Sequence, residues 1–255
     1  MSPVLKDKVA IITGASRGLG KAFALRFAEE GAKILITTTN LKRAEGTVKE
    51  IEAKGAEVAV VEADIAEESA TQKIADEAVK KYGTVDILVN NAAIWGGLNI
   101  TPWDAWTTEQ WDQIFTVNVR GTWLVCKAIA PIMVKAGKGR IINIASNIAK
   151  VPAAQLFLPY SCGKGAIYTM TQALAHALGE SGITVNAIAP GYTESEASLG
   201  QQGSDQIFEI ATGEQTMHRR GLPIDMVGAA IFLASDDANF ITGQTYYIDG
   251  GTVML

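Results

Sequence analysis

Cysteine and histidine are scarce in this chain, two of each among 255 residues. Cys126 and Cys162 both lie in apolar or helical surroundings, so a disulfide framework is excluded and reduced thiols in a cytoplasmic protein are expected. His176 and His218 stand far apart with no cysteine cluster, so no metal site is expected. Basic runs are missing too. Charged residues make up 19% and the formal net charge is -5, which argues against nucleic acid and against an anionic membrane surface as partners. No uninterrupted apolar stretch reaches the ~20 residues that span a bilayer. The opening "MSPVLKDKVAIITGA" runs straight into a glycine loop and carries no cleavable signal pattern. Linkers, low-complexity tracts and internal repeats are absent. Residues 1–255 therefore read as one domain, and 48% hydrophobic residues suffice for a sizeable core.

What is present is a regular alternation. Short β-branched runs read as strands: "VAIIT" (9–13), "KILITT" (33–38), "EVAVVEA" (57–63), "VDILVN" (85–90), "RIINIAS" (140–146), "ITVNAIA" (183–189) and "TYYID" (245–249). Almost continuously apolar, they suit strands covered on both faces. Between them, "KAFALRFAEEG" (21–31) and "SATQKIADEAVKKYG" (69–83) carry apolar residues at three- and four-residue spacing and end in Gly, a common helix stop. This alternation predicts an α/β fold: a single doubly wound parallel sheet of about seven strands with helices on both faces. Two stretches read as irregular, 92–107, rich in Trp and Gly, and 191–222, with Gly, Ser and Glu. Both begin at the carboxyl ends of strands, where ligands bind in such sheets.

"TGASRGLG" (13–20) joins the first strand to the first helix. Its glycines permit a tight turn and the approach of a pyrophosphate to the backbone. The helix start then offers free N–H groups and partial positive charge to that phosphate. Further along, "LPYSCGKGAI" (158–167) sets Tyr160 four residues before Lys164, on one side of a helix. A phenol titrates near 10 and is a poor base at neutral pH. A neighbouring ammonium favours the phenolate and is expected to lower that value. Taken singly, these motifs also read as a plain tight turn and a decorated helix face.

Their order is more informative. TGxxxGxG, "NNA" (90–92), Asn118 in "VNVRG", Ser146 at the end of the fifth strand, Tyr160 with Lys164, and "PG" (190–191) follow one another, ahead of the ending "FLASDDANFITGQTYYIDGG" (232–251). Together they resemble the short-chain dehydrogenase/reductase family over essentially the full length. The resemblance implies an NAD(P)-dependent oxidoreductase. It implies Tyr160 as general acid/base on the substrate oxygen, and Lys164 tuning the phenol and holding the nicotinamide ribose. Ser146 is implied to bond the substrate oxygen as charge develops, and Asn118, in the fourth helix, to hold with Lys164 a proton-relaying water chain. The implied cofactor contacts are Gly14, Ser16, Arg17, Gly18, Leu19 and Gly20 in the glycine loop, and Thr38 and Thr39 after the second strand. Asp64 and Ile65 are implied at the adenine, Asn91 and Ala92 along the route to the ribose, and Pro190, Gly191 and Thr193 or Ser195 near the nicotinamide. Family relatives also imply a homotetramer built through the fourth and fifth helices and the C-terminus, where the apolar tail "TVML" (252–255) suits an interface.

Two places depart from the family's pattern. "NNAA" replaces "NNAG", so the Ala93 methyl is expected to crowd the backbone there, and "YTES" (192–195) replaces the usual aliphatic residue and Thr after "PG". At the end of the second strand stands Thr38, not a carboxylate that would repel a 2′-phosphate. Arg17 offers a guanidinium suited to phosphate oxygens, and Lys42 and Arg43 follow closely. NADP(H) is therefore expected in preference to NAD(H).

The expected substrate is a small molecule. Trp95, Trp103 and Trp106 crowd the loop after the fourth strand, Phe157 precedes Tyr160, and Tyr192 follows "PG". Trp95, Phe157, Tyr160 and Tyr192, beside Ser146, suit an apolar pocket wall for a small, fairly apolar secondary alcohol and its ketone. Trp103 or Trp106 read equally as core packing. The flanking segments look similar to branches acting on aryl-substituted or ring-bearing alcohols. A 3-oxoacyl carrier-protein reductase is the alternative within the family, but the positions that often carry basic docking residues hold Gly137–Lys138 and Ser181. A non-catalytic dinucleotide sensor would not need Ser146, Tyr160 and Lys164 together, and a sugar-nucleotide epimerase would need a longer chain.

Overall fold

The computed structural model describes residues 3–254, so Leu255 of the apolar tail lies outside the described residues. The strands are β1 (Val9–Ile12), β2 (Lys33–Thr38), β3 (Val58–Glu62), β4 (Ile87–Asn90), β5 (Gly139–Ile144), β6 (Ile183–Pro190) and β7 (Thr245–Ile248). They form one sheet in the order β3-β2-β1-β4-β5-β6-β7. Every pairing is parallel, with Ala10 of β1 opposite Ile34 of β2 and Ile87 of β4. The chain winds outward from β1 to β3, returns to β4 beside β1, and winds outward again. The reversal leaves a crevice at the carboxyl ends of β1 and β4.

Strand pleating explains the continuous apolar runs. Ala10 and Ile12 face a layer made by α1 (Gly18–Glu29), α2 (Leu41–Glu52) and α9 (Pro223–Ala234), where Phe23, Phe27 and Val227 are buried. Ile11 faces the other layer, made by α3 (Glu68–Tyr82), α5 (Thr122–Ala136) and part of α6 (Leu158–Leu178). Both layers need apolar side chains, so neither parity of a strand can be polar. Gly83, at φ 80, closes α3 in the left-handed conformation that the helix stop requires.

Two regions differ from expectation. α4 (Thr108–Phe115), a π turn (Thr116–Gly121) and α5 run on as one helix, Thr108–Ala136, which by length and composition could cross a membrane. Polar and charged residues such as Asn118 and Arg120 interrupt the run, so no single apolar stretch revealed it. Half of its most apolar window is buried inside the fold. The stretch 191–222 is not wholly irregular either. It holds α7 (Glu196–Leu199) and α8 (Ser204–Glu214), too short or too glycine-flanked to show a clear period.

Candidate active site

The loop 13–20 crosses the crevice and is strapped to the chain leaving β4. Thr13 Oγ1 accepts from the backbone N–H groups of Asn91 and Ala92, each at 3.0 Å, while Asn91 Nδ2 donates to the carbonyls of Thr13 (2.9 Å) and Gly14 (3.2 Å). Two glycines make this strap possible. Gly14 has φ +65, and a Cβ there would meet Ala92 Cα at 2.8 Å; a Cβ on Gly20 would meet Asn91 Nδ2 at 2.5 Å. Only glycine therefore lets the loop pack this closely on the chain leaving β4.

A cleft of about 430 Å³ opens above the strap. Gly14, Ser16, Arg17, Gly18 and Leu19 line one end, Thr38, Thr39, Asp64 and Ile65 another, and Asn91 and Ala92 the middle. Tyr160 and Lys164 close it. Gly20 lies beneath the wall, packed on Asn91. Pro190, Gly191 and Thr193 do not line this cleft. Gly191 and Thr193 line a neighbouring cavity, and the Thr193 hydroxyl donates to the Gly191 carbonyl at 3.0 Å. Ser195, the other residue of the pair, does line the cleft. Arg43, Thr37 and Gln113 line it as well; Arg43 follows from its place one turn into α2, whereas Gln113 carried no local sequence signal. Ala93 is exposed, lines the cleft and avoids positive φ, so its methyl does not crowd the backbone as expected. The Thr38 hydroxyl donates to the Asn40 carbonyl and accepts from its N–H, each at 3.1 Å, and so braces Asn40, whose side chain caps α2 by accepting from Arg43 N.

Tyr160 and Lys164 sit in the first turns of α6, 8% and 4% exposed. Lys164 Nζ lies 5.6 Å from the Tyr160 ring centroid and donates to the Ile144 carbonyl at 2.6 Å. Burial lowers the lysine from 10.5 to about 8. The phenol departs from expectation: burial pushes Tyr160 above its ordinary value, and the neighbouring Ser146 hydroxyl only partly opposes this. Desolvation outweighs any help from the ammonium, so the phenol holds its proton at neutral pH.

Ser146 lies two residues past β5 and caps a 3-10 turn (Asn147–Lys150), accepting from Ile148 N at 3.2 Å. Its hydroxyl reaches the Pro190 carbonyl at 3.5 Å. Asn118 occupies the π turn and not a regular helix. Its side-chain oxygen accepts from Ile94 N at 2.7 Å and its amide donates to the Ile94 carbonyl at 3.1 Å. The side chain is thus committed to holding the loop after β4, and Lys164 meets Ile144 instead. Gly121, at the end of the turn, has no room for a Cβ, which would lie 2.9 Å from Ile65 Cγ1. Turns of this kind cluster at functional sites.

The aromatic residues converge. The Trp95 ring centroid lies 4.6 Å from Tyr160, 5.3 Å from Phe157 and 6.1 Å, edge-on, from Tyr192. Trp106 joins this cluster, its indole N–H buried without a partner, while Trp103 is exposed. The segment carrying α7 lies across the mouth of the cleft, where Glu196 Oε2 accepts from Gly18 N at 3.1 Å. That carboxylate sits at the start of α1, where an anion is favoured, and neither a motif nor a period marked it. Among the described residues, no group of three or more His, Cys, Asp or Glu is placed to hold a metal. Cys126 is a buried free thiol pushed up to about 12 by desolvation, and Cys162 is free and exposed. Arg17 and Arg43 are the guanidinium groups in the cleft, whereas Lys42 is not among its lining residues.

Residues 14–253 match a family profile described as enoyl-(acyl carrier protein) reductase. The chain is 38% identical to the (2S)-[(R)-hydroxy(phenyl)methyl]succinyl-CoA dehydrogenase subunit BbsD of Thauera aromatica, covering 97% of each chain. It is also 38% identical to the galactitol 2-dehydrogenase of Agrobacterium fabrum, over 98% of this chain and 99% of the other. Among solved structures, an NAD+-bound xylitol dehydrogenase superposes with a TM-score of 0.89 at 32% identity, covering 97% of this chain and 99% of the other. On its fold, its ordered motifs and these relatives, the chain belongs to the short-chain dehydrogenase/reductase family of oxidoreductases.

Proposed function

We propose that the protein is an NAD(P)-dependent alcohol dehydrogenase/ketone reductase acting on a small, fairly apolar secondary alcohol and its ketone. The observation that carries this is the meeting of Tyr160, Lys164 and Trp95 in one long cleft, with the Ser146 hydroxyl beside the phenol though outside the lining of the cleft. The cleft fits a dinucleotide: a glycine loop along its lining, a helix start at Gly18 and a groove that includes Tyr160 suit a diphosphate and two ribosyl groups. When bound, the nicotinamide supplies or accepts the hydride.

The chain's own residues do the rest. Tyr160 donates its proton to the carbonyl oxygen during reduction, since the buried phenol carries that proton at neutral pH. Ser146 donates a hydrogen bond to the same oxygen as charge builds on it. Lys164 holds the ribose and supports the phenolate left behind. Asn118 acts through Ile94, keeping the Trp95 loop in place. NADP(H) is the preferred cofactor on this reading, because Arg17 and Arg43 face the groove near Thr38 and Thr39 with no carboxylate at the end of β2. The protein is taken as a cytoplasmic homotetramer without nucleic-acid or membrane partners.

A 3-oxoacyl carrier-protein reductase is less well supported, since Gly137–Lys138 and Ser181 precede the amino ends of β5 and β6, away from the cleft. The deciding experiment is a fluorescence titration with NADPH and NADH of the wild type and Tyr160→Phe, followed by turnover of a ketone panel. Tight binding by both proteins, tighter for NADPH, with turnover falling by about 10²–10⁴ in the variant, is expected. Binding of neither nucleotide, or retained activity in the variant, overturns the reading.

A further inference from the structure

Gln201 belongs to no motif and lies between α7 and α8, yet it is only 6% exposed. Its side chain is fully engaged. Oε1 accepts from the Tyr192 hydroxyl at 2.8 Å, and Nε2 donates to the carbonyls of Trp95 (3.4 Å) and Leu98 (3.3 Å). One amide therefore joins the loop after β6 to the loop after β4. Those loops carry the two aromatic rings that meet edge-on beside Tyr160.

The engagement has a chemical consequence. The Tyr192 hydroxyl is spent on Gln201 and on the Ser198 carbonyl, 3.3 Å away. What the cleft presents beside Tyr160 is then the aromatic carbon of Trp95, backed by buried Phe157 and by Tyr192, which themselves lie outside the lining of the cleft, Tyr192 facing the neighbouring cavity. A flat ring next to a carbonyl suits such a wall. A polyhydroxylated chain does not, because each buried hydroxyl left without a partner is disfavoured.

We propose that Gln201 is the positioning residue that sets substrate class, holding Trp95, backed by Tyr192, as a fixed wall so that the site selects aryl-substituted ketones over polyhydroxy ketones. This deepens the ketone-reductase reading and rests on it for the chemistry, while the positioning role stands on geometry alone.

The test compares wild type with Gln201→Leu and Gln201→Met, the latter keeping most of the volume without the hydrogen bonds. The probes are acetophenone and dihydroxyacetone, with separate measurement of dinucleotide affinity and of amide hydrogen exchange. Both variants are expected to lower the ratio of kcat/KM for acetophenone over dihydroxyacetone about tenfold, mainly through KM for acetophenone, with dinucleotide affinity within about twofold. Exchange is expected to rise together in 94–98 and 192–201. An unchanged ratio overturns the specificity role, and faster exchange confined to 199–204 overturns the positioning role. If the wild type reduces neither ketone, the substrate reading fails, and the exchange pattern alone decides on positioning. Should both variants fail to fold, Tyr192→Phe removes one of the three bonds and is expected to shift the ratio in the same direction; no shift overturns the proposal.

Discussion

Lys164 places a charge where a charge is least stable. Its value falls to about 8 because burial penalises the ammonium, and the Ile144 carbonyl compensates only in part. At about 1.4 kcal/mol per unit, a drop from 10.5 to about 8 corresponds to a cost on the order of 3 kcal/mol at neutral pH. Lys164→Met is therefore expected to raise stability at pH 7 by ~1–3 kcal/mol while turnover is lost. The sign with pH follows from linkage. Between about 8 and 10.5 the unfolded chain binds more protons at this position, so the wild type gains stability as pH rises. The advantage of the variant shrinks over that window, and urea midpoints at pH 7 and pH 10 measure it. Tyr160, Lys164 and Ser146 were legible because their order and spacing are local facts of the chain. The direction of the Tyr160 shift was not, since spacing shows a neighbouring charge and cannot show desolvation. Gln201 was illegible for a related reason: its three partners come from two loops about a hundred positions apart in the chain.

At the scale of elements, the start of α1 is contested. Glu196 of α7 accepts from Gly18 N, the N–H group best placed for a phosphate oxygen. A dinucleotide in the cleft meets this carboxylate as a like charge. Glu196→Gln is expected to tighten NADPH and NADH alike by about two- to fivefold, since a screened surface charge is worth ~0.5–1 kcal/mol. The gain should fade in high salt, and parallel titrations at low and high ionic strength measure it. The seven strands were legible in the sequence because a parallel sheet buried on two faces leaves no polar parity to confuse the pattern. α7 and α8 were not, being four and eleven residues long and flanked by glycine. The π turn at Asn118 also escaped, because one extra residue in a helix barely disturbs an apolar period.

For the whole molecule, the long helix carries two of the large apolar side chains left exposed, Trp123 and Val134. Trp123 is 44% exposed and, with Phe115, Val119 and Met170, lines a shallow surface hollow. Val134 is exposed further along the same helix. A homotetramer would cover this face. Light scattering is expected to return about four times the 27.0 kDa chain mass, and Trp123→Glu to reduce it to dimer or monomer without unfolding the chain.

The strand order has a consequence of its own. The residues that would choose between the two nicotinamide dinucleotides, Thr38, Thr39 and Arg43, sit at the β2 side of the crevice. Gln201, Trp95 and Tyr192, which would choose the substrate, sit over β4 and β6. Between them stands the strap of Thr13 and Asn91, whose hydrogen bonds close on themselves. Free energies at sites without shared partners tend to add. The two choices are therefore separable at residues far from the α7 segment, and coupled where that segment reaches the glycine loop through Glu196 and Gly18.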